Sequence, residues 1–117
     1  MKLINRSGFT VLPRQPFVDW ANQQQDDLNQ SMSLEEHRSE GSVYLTDEFQ
    51  SEEDVSQQLS AHFEKIFINE LAAWDEFGDN WPEGRTLALF LAWFEVMPQV
   101  MAVDLLDAPL LLAPLEE

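Results

Sequence analysis

The stretch SEEDVSQQLSAHFEKIFINELAAW, residues 51–74, decides the fold. Val55, Leu59, Phe63, Ile66, Phe67, Leu71 and Trp74 recur there at steps of three and four, which lines one side of an α-helix roughly five turns long. Ser51 and Asp54 have the spacing of a capping box. Glu52, Glu53 and Asp54 put negative charge in the first turn, where unpaired N–H groups and the helix dipole favour it. A helix with one apolar stripe must bury that stripe, so the flanking segments are read for a partner surface.

Upstream, Gly8–Leu12 clusters β-branched and aromatic residues, and Pro13 stops the run, which predicts a first strand. Pro16 suits the first turn of a helix that places Phe17, Trp20 and Ala21 on one face. Residues 23–42 predict a surface excursion holding one short capped turn at Ser33-Leu34-Glu35-Glu36, closed by Gly41. Ser42–Thr46 predicts the second strand. Downstream, Gly78, Asp79, Asn80 and Pro82 break the chain. Thr86–Met97 then predicts a helix that is apolar nearly all round, ended by Pro98. Residues 100–106 predict the third strand, with Met101, Val103 and Leu105 alternating against Ala102 and Asp104. The order β-α-β-α-α-β predicts an α+β fold: a small three-stranded mixed sheet covered by helices. With 117 residues the chain is read as a single domain, 1–117, ending in an apolar tail, 108–117, fenced by Pro109 and Pro114.

Charge narrows the function classes. Twenty-two Asp and Glu against six Lys and Arg give a net charge of -16. Such a field repels phosphate backbones and anionic lipid, so neither nucleic acid nor a membrane surface is an expected partner, whereas a basic protein is. The plainer reading is that acidity serves solubility. Cysteine is absent, which removes disulfides, thiolate metal sites and cysteine nucleophiles. No stretch is apolar for long enough to span a bilayer, and Met1–Arg6 has no secretory h-region, so the expected compartment is the cytoplasm.

The search for chemistry yields little. Of the two histidines, His37 falls in the polar excursion and His62 at the boundary of the long helix, where a histidine reads as structural or surface rather than as a catalytic base, and no Gly-x-Ser-x-Gly elbow occurs. Four glycines make no phosphate-cradling loop. No catalytic residue, cofactor or metal ligand is therefore assigned. Asp104 with Asp107, or the acids of residues 75–79, would be the first carboxylates to examine for a divalent cation in an enzyme, though they lack the calcium-loop pattern and read first as solvated acids near helix ends. Arg14 and Arg85 are rare cations beside turns, read either as clamps for a partner's carboxylate or as salt-bridge anchors.

Three segments carry a resemblance. Residues 13–20 (PRQPFVDW), 43–49 (VYLTDEF), and Trp81-Pro82 with Arg85-Thr86-Leu87 and Trp93-Phe94 resemble a family of small bacterial proteins with no assigned activity, over about residues 8–107. The resemblance implies a bacterial cytoplasmic protein and no particular chemistry. The expected function is thus a non-enzymatic binding or regulatory protein acting by protein–protein contact. Its candidate contact residues are Asp47, Glu48, Glu52, Glu53, Asp54, Trp81, Arg85 and Trp93. Homodimerisation is a variant, through Leu110–Leu115 and the two-sided helix at 86–97.

Overall fold

The computed structural model describes residues 1–25 and 31–115; the middle of the 23–42 excursion and the end of the tail fall outside them. In chain order the elements are β1 (Lys2–Ile4), β2 (Ser7–Pro13), α1 (Gln15–Gln23), α2 (Leu34–Arg38), β3 (Ser42–Thr46), α3 (Glu52–Ala72), α4 (Leu87–Trp93), β4 (Phe94–Gln99) and β5 (Ala102–Asp104). The fold is α+β, as the sequence predicts. The predicted single mixed sheet and its strand order are not what forms. There are two sheets, both antiparallel: a three-stranded one ordered β3-β2-β4 and a two-stranded one pairing β1 with β5.

The largest difference lies at residues 94–99. The predicted helix through Met97 stops at Trp93, and Phe94 is already extended at φ -136, ψ 142. The cause is tertiary. β3 covers one edge of β2, and the other edge would otherwise leave a row of unpaired N–H and C=O groups; residues 94–99 pair along it from Gly8–Gln99 to Pro13–Phe94. Pro98, read as a helix stop, sits inside β4, which an edge strand tolerates. The predicted third strand at 100–106 shrinks to Ala102–Asp104 and pairs with β1, a strand too short to announce itself by periodicity.

The two sheets share their strands end to end. β1 runs through Asn5 and Arg6 into β2, while β4 runs through Val100 and Met101 into β5. Between the pairs Ile4–Ala102 and Gly8–Gln99 one side carries three residues, Asn5, Arg6 and Ser7, and the other carries two, Val100 and Met101. One extra residue on one side is a bulge, which breaks the ladder and bends it. Ser7, fully buried, pins this place: its Oγ donates to the carbonyl of Val100 at 2.8 Å and accepts the N–H of Phe49 at 2.8 Å. Beyond the bulge the β1–β5 ribbon forms an arm. The radius of gyration, 15.6 Å, exceeds the roughly 13 Å of a compact chain of this length, consistent with segments that extend from the body.

The core lies against the inner face of the three-stranded sheet. Ser51 caps α3 by accepting the Asp54 N–H at 3.3 Å; the return bond of a capping box goes one residue earlier, from the Gln50 N–H to Asp54 Oδ2 at 2.7 Å. The predicted stripe of α3 then packs inward, with Ile66, Phe67 and Leu71 buried and Val55, Leu59, Phe63 and Trp74 against them. Phe67 is central: its ring lies 5.5 Å from Phe90, 5.7 Å from Trp93 and 5.7 Å, edge-on, from Phe94. Phe17 of α1 closes the cluster, 4.8 Å from Phe94.

The excursion is not merely polar. Within it α2 carries the predicted capping box, Ser33 with Glu36, and buries His37, 4% exposed, between Phe17 and Trp74. Arg38 donates to the Pro13 carbonyl at 3.1 Å and pairs with Glu95, which fastens α2 to β2 and β4. His37 Nε2 has no hydrogen-bond partner among the described residues. Burial lowers the His37 pKa, against the smaller opposing pull of Glu40 and Glu36. The unfolded chain therefore takes up this proton first as pH falls below about 6.5, and stability contributed by the neutral imidazole is present above that pH and lost below it. Thermal melts between pH 7.5 and about 5 should show stability declining on the acid side, with a shallower decline in His37→Phe. Parallel pH profiles for the two proteins would show that the dependence comes from other groups.

Candidate functional site

The arm carries the most unusual surface. Leu3 and Val103 are directly paired across the ribbon, so they share one face. Met1, Met101 and Leu105 flank these two strands. All five are apolar and all are exposed, from 44% at Val103 to 81% at Met1. A two-stranded ribbon is marginally stable by itself in water, and an amphipathic one with its apolar face outward is built to be covered. The opposite face holds Lys2 over Asp104, with Nζ 3.8 Å from Oδ2, and Ile4 over Ala102.

Charge is distributed against the same landmarks. Residues 1–13 contain Lys2 and Arg6 and no acid, and residues 96–106 contain one acid, Asp104. The -16 of the whole chain therefore belongs to the body and leaves the arm close to neutral. Asp107 is drawn to the chain's amino terminus, 3.7 Å away, and Asp104 Oδ1 accepts the Leu106 N–H at 3.0 Å. The two carboxylates singled out for a cation thus face Lys2 and the terminal ammonium. Among the described residues no group of three His, Asp or Glu could hold a metal ion, and no helix is long and apolar enough to cross a membrane.

The other candidate residues fall into two separate places. Asp47, Glu48, Glu52 and Glu53 are exposed around the start of α3, with half-buried Asp54 serving the cap. Trp81, Arg85 and Trp93 lie by the α3–α4 connection. Trp81 Nε1 donates to the Asp75 carbonyl at 2.8 Å, and the Arg85 guanidinium stacks over its ring at 5.7 Å while donating to the Pro82 carbonyl at 3.1 Å. Arg85 also lies 3.9 Å from Glu64, so it acts as an anchor within the chain. Gly78, at φ 77, lets the backbone turn against the Trp81 ring. Trp93 is half-buried in the aromatic cluster. Arg14 donates its backbone N–H to the Trp93 carbonyl at 2.8 Å, and its side chain, after Arg38, helps lower the Glu95 pKa.

A second constellation, missed in the sequence, joins α3 to β3. Glu70 Oε2 accepts the Tyr44 hydroxyl and the Ser42 hydroxyl (3.2 Å), and Asn69 Nδ2 donates to Tyr44 Oη at 2.9 Å. Burial raises the Glu70 pKa, with the two hydroxyl donors working the other way; burial and then the Glu70 charge push the Tyr44 phenol well above its usual range. The signal was spacing: Glu70 stands three residues after Phe67 and four before Trp74, inside the apolar stripe. Beside this network lies a cleft of about 900 Å³ that includes Phe9, Tyr44, His62, Ile66, Asn69 and Leu115 in its walls.

No family model, curated protein or solved structure matches the chain.

Proposed function

We propose that this chain is a non-enzymatic, cytoplasmic binding module that acts by protein–protein contact and pairs with a second copy of itself through the apolar face of its arm. The observation that carries this is the separation of surfaces: five exposed apolar side chains on and beside a near-neutral arm, and the acid on the body. Two copies meeting body to body repel, whereas two arms bury Met1, Leu3, Met101, Val103 and Leu105 and keep the charged bodies apart. The ribbon also has free edges, which permits strand-to-strand pairing in the same contact. The acidic body, with Asp47, Glu48, Glu52 and Glu53 exposed, is then left free to meet a basic protein. Kinship with small bacterial proteins, suggested by residues 13–20 and 43–49, fits this reading and adds no activity.

Light scattering across a concentration series tests it. The native chain should approach twice its 13.5 kDa mass, and added salt should tighten the pair by screening the bodies. The double change Leu3→Glu with Val103→Glu places like charges across the contact and should raise the dissociation constant about 100-fold or more. Val43→Glu, on the exposed outer side of β3, should leave the mass unchanged. A monomer at every concentration removes self-association, and an affinity for a basic protein that salt abolishes would shift the reading to that partner.

A further inference from the structure

The chain's last described residues form a strap whose apolar side chains are mostly exposed. Lys2 Nζ holds its start, donating to the carbonyls of Asp107 at 3.2 Å and Ala108 at 3.1 Å. From there residues 109–115 make no hydrogen bond among the described residues, and Leu111 and Leu112 are 96% and 89% exposed. Pro109 and Pro114 favour an extended, low-entropy backbone. The described strap reaches the cleft between α3 and β3, where Leu115, itself 75% exposed, borders the opening beside Phe9, Leu45, Ala61, Ile66 and Ile68. At about 900 Å³, largely apolar and open along one side, this cleft has the size and chemistry to take several leucine side chains.

We propose that the cleft is a groove for an extended leucine- and proline-rich segment, and that the chain's own residues 109–115 are the segment that fills it, entering at Leu115. Two uncovered apolar surfaces lie side by side, one a groove and the other a strip of the right shape. Seating the strip removes both from water and loses little conformational freedom, because the prolines have already restricted the backbone. Leu115 marks where it enters. This groove is separate from the arm, and the inference stands whether or not two copies pair.

The probe is a dye-labelled peptide of residues 108–117, followed by anisotropy. The full-length native chain, with its own tail at the groove, should bind it weakly. The full-length Leu115→Asp variant should bind it about tenfold tighter, because the competing tail is unseated. Adding Ala61→Glu, an exposed change in the groove wall, should abolish the gain. Equal binding by the native chain and Leu115→Asp, failure of both to bind, or full binding by the double variant would each overturn the proposal. So would native resistance to the peptide that appears only at high protein concentration, since the tail would then come from another copy.

Discussion

Phe67→Ala is expected to lower stability by about 3–5 kcal/mol, enough to leave the domain marginal or unfolded at 37 °C. Phe67 is fully buried, on the stripe of α3 that faces the sheet, and its ring touches the rings of Phe90, Trp93 and Phe94 from two further elements. Those neighbours belong to α4 and β4, joined with no loop between them, so they have little freedom to collapse into the space a methyl group leaves. The loss therefore combines removed apolar burial with an unfilled cavity, and forfeits the ring contacts as well. Chemical denaturation measures it, with Phe63→Ala, half-buried at the edge of the cluster, as a milder comparison. A loss below about 1 kcal/mol would mean that the aromatic cluster is not packed as described.

Ser7→Ala should cost about 2–3 kcal/mol, a large effect for the removal of one oxygen atom. The substitution takes the only hydrogen-bond partner of the Phe49 N–H among the described residues, a group drawn into a buried setting, and it strips the Val100 carbonyl of a donor. Its location matters as much as its size, because Ser7 sits where the two ladders fall out of step. With the pin gone, arm amides from Leu3 to Ile4 and from Ala102 to Asp104 should exchange with solvent faster, while those of β2 beyond Phe9 keep their protection. Hydrogen exchange separates this from general destabilisation: uniform acceleration across both sheets would deny Ser7 a local role. If self-association depends on an ordered arm, the same variant should also weaken pairing.

The long helix was legible because twenty residues of strict spacing leave no rival interpretation, and the capped turn at Ser33 because side-chain capping is local chemistry. Residues 94–97 were misread for a definite reason. Phe94 and Met97 continue the helical spacing of Leu87 and Phe90, and what turns residues 94–97 into a strand is the open edge of β2, some eighty residues away in the chain. Part of the arm was visible in the alternation of Met101, Val103 and Leu105; their exposure was not, since periodicity distinguishes two faces without saying which one meets water. Its other strand, three residues long, carries no periodic signal. His37 shows the same limit, because a polar neighbourhood in sequence says nothing about Phe17 and Trp74 closing over the imidazole.

The arm is continuous with the backbone that holds the core. Lys2 to Pro13 is one run of chain, bent at Ser7, and its second half is the middle strand of the three-stranded sheet, bearing Phe9 and Val11. Whatever grips the tip of the arm therefore tugs on the centre of the molecule with no slack linker between, and the bend at Ser7 behaves as an elbow through which that traction passes.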